Sequence, residues 1–240
     1  MGATTVTQWL GAFGPFVVAA VALGLALWGQ DIHALAHRPN LSASLTMKSP
    51  DCHKMRWHDG RCDAFFCRLD IRNNGSQAKD VEVRLLNLRR RVGDRYELDH
   101  DFRGGLNLVW EYTHEVTLPQ IDRNLSKHCD LLYVKHVRSL LLEFATNHVP
   151  NQIRPGVWPT KWPGGDYRVD LVVVAANARP RYVTLGVQFS GKWLPKEADM
   201  FSKGLTIQVV SQSRKPPPEP DEASGSLPMF RRPYSLRPGR

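Results

Sequence analysis

The chain has 240 residues, 42% of them hydrophobic, with 32 Lys and Arg against 23 Asp and Glu for a formal charge of +9. It holds no glycine-rich phosphate loop, nucleophile elbow or H-E-x-x-H helix, so the enzyme classes built on those signatures find no support in it. The charge is uneven: residues 1–40 are neutral, the tail from Ser213 carries +3 and the middle the other +6.

Trp9 to Trp28 is twenty residues without a charged side chain, rich in Ala, Val and Leu. At 1.5 Å per residue it makes about 30 Å of helix, the thickness of a bilayer's hydrocarbon core. Trp at both ends suits two membrane–water interfaces. Pro15, Gly11, Gly14 and Gly24 lie inside the run, where lipid tolerates them better than a soluble helix does. A cleaved signal peptide is the competing expectation, with Ala34-Leu35-Ala36 as a small-residue site. Residues 1–8 hold no Lys or Arg and the apolar run is long, so retention as an anchor is favoured. Arg38 and Lys48 follow the span and no basic side chain precedes it, which by the positive-inside rule puts the rest of the chain in the cytoplasm. The domain plan is then a flank (1–8), a transmembrane helix (9–28) contacting membrane lipid, a linker (29–40), a β domain (41–212) and a tail (213–240).

From Leu41 the apolar period becomes two, the spacing at which alternate side chains share one face of a sheet. Leu41, Ala43, Leu45 and Met47 alternate, then Phe65, Cys67, Leu69 and Ile71. The Cys and His loop at 52–67 lies between them. Cys52 and Cys62 flank His53, His58 and Asp59, so a disulfide between those two cysteines is expected if the domain is exported. A zinc site there meets only half of the usual ligand spacing, so no metal or cofactor is assigned. Cys67 reads as a small core side chain.

Asn73-Asn74-Gly75 predicts a turn. Val81, Val83 and Leu85 resume the alternation, and Leu86 with Leu88 breaks its phase, as a bulge or two-sided burial does. Arg89-Arg90-Arg91 follows, a lone basic triplet far short of a nucleic-acid footprint, so nucleic acid is not expected as a partner. Asp99-His100-Asp101 reads as a solvated turn. Leu106–Trp110 and Cys129–Val137 predict strands, and Ser139–Phe144 a strand or short helix.

Val157 to Gly165 contains two Trp-Pro steps, which force extended backbone. Trp158 and Trp162 beside Lys161 offer a partner-binding hot spot if exposed. The other outcome is that the indoles plug the end of the core, as large aromatics are on average highly buried. Tyr167, Val169, Leu171, Val173 and Ala175 form a further face, as do Val183, Leu185, Val187 and Phe189, and Leu205, Ile207 and Val209. Seven or eight short strands without βαβ alternation predict an all-β fold, an antiparallel immunoglobulin-like β-sandwich.

The run from Phe66 to Val81, with its Asn-Gly turn, resembles the strand-turn-strand opening of many immunoglobulin-like domains. Gly165-Asp166-Tyr167-Arg168-Val169 with the later Gly191-Lys192-Trp193 and Met200 is similar to uncharacterised bacterial single-pass membrane proteins with such a sandwich. The resemblance spans residues 64–210 and implies the fold and anchor, with no activity attached.

The tail from Arg214 is proline-rich and poor in apolar residues, which predicts disorder with partial polyproline II character. The whole chain then reads as a non-enzymatic, single-pass membrane protein presenting its sandwich to an unknown protein partner, its oligomeric state unassigned. The alternative is a metal- or small-molecule-binding sensor or enzyme using the loop at 52–67.

Overall fold

The computed structural model describes residues 16–24, 38–57, 60, 62–99, 102, 105–111, 115–137, 140–146 and 161–217. Residues 16–24 are helical (α1), exposed but for the half-buried Gly24, and lie within the predicted span; the rest of Trp9–Trp28, the linker to residue 37, Trp158 and the tail past 217 lie outside the described residues. No described helix is long and apolar enough to cross a membrane.

Among the described residues thirteen strands follow: β1 (Leu41–Ser44), β2 (Cys52–Arg56), β3 (Asp63–Asn73), β4 (Ala78–Val92), β5 (Arg95–Leu98), β6 (Leu106–Asn107), β7 (Leu118–Ile121), β8 (Ser126–Lys135), β9 (Leu142–Phe144), β10 (Lys161–Trp162), β11 (Gly165–Val174), β12 (Arg181–Phe189) and β13 (Leu205–Ser213). They form two antiparallel sheets. The first runs β1-β3-β8-β9-β10 with β2 also on β3; the second runs β13-β12-β11-β4-β5 with β6 and β7 also on β4. Of the segment Ser139–Phe144, Leu142–Phe144 is strand, as β9, while Ser139 lies outside the described residues.

The predicted inward faces meet in one core. Phe65, Cys67, Leu69 and Ile71 of the first sheet cluster with Val83, Leu85, Val169, Leu171, Val183 and Leu185 of the second, all essentially without exposure. A short helix, α2 (Glu197–Asp199), runs into a π-helical turn over Met200–Gly204. That turn buries Met200 and sets Phe201 edge-on to Phe65, at 5.4 Å between ring centres.

The phase break in β4 is a bulge. Asp170 faces Asn87 and Leu171 faces Leu85, so Leu86 has no partner opposite and Leu88 returns to the core. The same stretch holds Arg89, whose guanidinium meets the buried carboxylate of Asp170 at 2.8 Å on the outer face of the second sheet. Asp170 also accepts a hydrogen bond from the Thr184 hydroxyl, at 2.8 Å. Arg91 reaches Asp166 and Asp94, so two of the three clustered arginines are ion-paired.

The chain comes in and leaves at one end of the sandwich, which we call its base. Leu41 pairs with Asn73 at the start of the domain, and Tyr182 pairs with Ser213 at its finish. The incoming segment lies on the Asn73–Gly75 turn: Asn74 N–H donates to Asn40 O (2.9 Å), and Asn40 N–H to the Asn73 side chain (3.2 Å). Gly75 is required there, because a Cβ would stand 2.6 Å from Asn40 N and closer still to Arg38 O. The Gln212 side chain then ties the two sheets, accepting from Ala43 N–H (3.1 Å) and donating to Ala43 O (2.7 Å).

Candidate functional site

The loop at 52–67 is a hairpin of β2 and β3 with Cys52 directly opposite Cys67. Arg68 N–H donates to Asp51 O, so Asp51 and Arg68 are the hydrogen-bonded pair and the cysteines the next, non-hydrogen-bonded one. In such pairs the Cα atoms approach to about 4.5 Å and the side chains are closest. The sulfurs stand 3.0 Å apart, and Met47 Sδ lies 3.9 Å from Cys52 Sγ. Both thiols are fully buried. Burial pushes the Cys67 thiol well above its ordinary value, with the hydrogen bond from Cys52 adding to it.

Cys52 and Cys62, the pair expected to bond if the domain is exported, are not the two that strand register places opposite each other, and all four cysteines are free. Cys62 lies toward the hairpin tip, where its carbonyl accepts from Trp57 N–H, while Cys52 is at the base of β2. Spacing in sequence suggested Cys62; strand register selects Cys67. His58 and Asp59 lie outside the described residues, and among the described residues no three His, Cys, Asp or Glu side chains could hold a metal. Beside the cysteines, Asp51 accepts from Thr46 N–H (2.7 Å) and Thr46 Oγ1 (2.8 Å) and contacts His128 Nε2 (3.0 Å). These contacts tie the loop before β2 to β8.

The outer face of the first sheet carries the second grouping. Strand alternation that sends Phe65 and Cys67 inward sends Phe66 outward. Register then lines up one residue per strand, His53 on Phe66, Phe66 on Tyr133, Tyr133 on Glu143 and Glu143 on Lys161. Phe66 and Tyr133 stack with an interplanar angle of 3°. Trp57 packs on Tyr133 at 4.5 Å, and Lys135 Nζ lies 4.0 Å above the Trp57 ring. Glu143, 8% exposed, accepts from the Tyr133 hydroxyl (3.1 Å) and meets Lys161 (3.5 Å) and Lys135 (3.7 Å). Burial, with Glu143 beside it, holds the Tyr133 phenol well above its ordinary value. Within this row Phe66 is buried, 3% exposed, clustering with Val109 and Ala145 apart from the main core, and Trp57 and Tyr133 pack against that cluster.

Lys161 thus joins the outer row, but its neighbour does not. Trp162 points inward, 3% exposed, packing edge-on against Phe144 at 5.1 Å and donating from Nε1 to Asp99 at 2.9 Å. Of the two outcomes open for Trp162, the indole plugs the end of the core and is not part of an exposed hot spot: adjacent residues of a strand face opposite sides, so exposing the lysine buries the indole. The row itself was missed from sequence, since β2 and β10 were not foreseen and five strands must be in register before it forms.

No family model, curated protein or solved structure matches the chain.

Proposed function

We propose that the chain is a single-pass membrane protein whose β-sandwich is a non-enzymatic module for contact with a protein partner. The observation that carries this is the outer row from His53 to Lys161, flanked by Trp57 and Lys135. Outer faces of sandwiches are ordinarily polar. This one combines Trp and Tyr, the residue types that dominate binding hot spots, with fixed charges that give orientation.

The anchor is residues 9–28, by length, apolarity and interfacial Trp. Arg38 and Lys48 favour the cytoplasmic side for the domain. An immunoglobulin-like arrangement is supported by the neighbours β3–β8 and β4–β11, which are distant in sequence as Greek-key connections make them.

A photo-crosslinking residue at Lys135, tested in intact cells, is expected to trap one discrete protein adduct. The same residue at exposed Gln208, on the second sheet, should trap none. No adduct from the row, or the same adducts from both sheets, contradicts the proposal.

A further inference from the structure

Four arginines converge at the base of the sandwich. Arg38, Arg179, Arg181 and Arg214 line a depression of about 340 Å³ with Pro39, Asn40 and Leu41. They come from the incoming segment, the turn before β12, β12 itself and the residue after β13, so only the fold assembles them. Arg181 is fixed: its Nε donates to Leu41 O (3.0 Å) and its Nη2 to the Asn40 side chain (3.1 Å). Among the described residues no carboxylate lines the depression, and Arg38, Arg179 and Arg214 form no ion pair. Burial, then the charge of Arg214, presses the Arg181 guanidinium below its ordinary value. Like charges held this close are a cost that a bound anion removes. Guanidinium groups match the oxygens of phosphate in bidentate fashion.

We propose that this pocket binds the phosphate of an anionic phospholipid headgroup and seats the base of the sandwich on the bilayer. The inference rests on reading residues 9–28 as an anchor. Nine residues, 29–37, separate Trp28 from Arg38. Fully extended, that connection spans roughly 30–35 Å at most, so the pocket cannot lie far from the headgroups. On the cytoplasmic side those include anionic lipids that attract basic groups next to a span.

The test uses the full chain in nanodiscs of phosphatidylcholine, with and without phosphatidylglycerol. Hydrogen exchange is followed at 38–41 and 175–182, with 167–173 of β11 as a folding control. Phosphatidylglycerol should slow exchange at the base at least about tenfold, and Arg179→Gln with Arg214→Gln should abolish that slowing while β11 is unchanged. Arg90→Gln with Arg95→Gln removes the same charge elsewhere and should leave the slowing intact. Equal loss in both double variants would mean diffuse attraction and overturn the pocket. Slowing by inorganic phosphate in phosphatidylcholine discs, with none from phosphatidylglycerol, would overturn the lipid as the source. A chain extracted from membranes by alkali fails the anchor reading instead, and inorganic phosphate then judges the pocket separately.

Discussion

Cys52 and Cys67 face each other across β2 and β3 with their sulfurs 3.0 Å apart, at a non-hydrogen-bonded position of the ladder. Cα separations at such positions fall within the range a disulfide spans. Under oxidising conditions during folding, the full chain is expected to form the 52–67 bond, with Cys62 and Cys129 remaining alkylatable after unfolding. Non-reducing peptide mapping reads this directly. Closing a loop of about fifteen residues adds roughly 3 kcal/mol of stability. A mapped 52–62 bond would contradict the register. In a reducing cytoplasm the same pair stays as thiols, because the compartment and not the geometry then decides.

Trp162 and Trp57 are expected to behave oppositely when truncated. Trp162 fills the end of the core, so Trp162→Ala should cost about 3–5 kcal/mol in urea unfolding. Trp57 lies on the outer face against Tyr133 and Lys135, so Trp57→Ala should cost about 1 kcal/mol or less. It should nonetheless abolish partner crosslinking from Lys135. Equal losses of stability would remove the distinction between core and surface indole.

Asp170 and Arg89 form a desolvated ion pair outside the core. Removing one partner strands the other's charge, so Asp170→Ala is expected to destabilise by about 3–5 kcal/mol. The double replacement Arg89→Met with Asp170→Leu should cost clearly less than that single change. A double-mutant cycle of chemical unfolding checks the non-additivity.

His53, at the end of the outer row, has its imidazole held below the ordinary value of 6.5, first by burial and then by the charge of Arg68. The folded state therefore favours the neutral ring. As pH falls below about 6.5, the unfolded chain takes up a proton more readily than the folded one, and stability declines down to the folded-state value. Above about 6.5 this contribution is fully present. His53→Gln should flatten the decline between about pH 7.5 and 5.5 in unfolding titrations. An unchanged slope would mean that other groups set it.

Period-two patterning made the sheets legible, because every inward set from Phe65 to Ile71 and from Tyr167 to Val173 sits in the core. Even the bulge at Leu86 was visible as a broken phase. What sequence could not supply is the relation between strands. The cysteine pairing, the row from His53 to Lys161 and the Arg89–Asp170 pair each depend on register. Trp162 illustrates the same limit, since one residue's shift in a two-residue strand decides whether an indole faces solvent or core. The arginines at the base join positions 38, 179, 181 and 214, which only the two-sheet closure brings together.

Membrane attachment through residues 9–28 is the premise of the single-pass reading and of seating the arginine pocket on lipid headgroups. Alkaline carbonate extraction of membranes carrying the full chain, alongside a form lacking residues 9–28, tests it most directly. The full chain is expected to remain in the pellet while the deleted form is released. Release of the full chain by alkali would contradict the account.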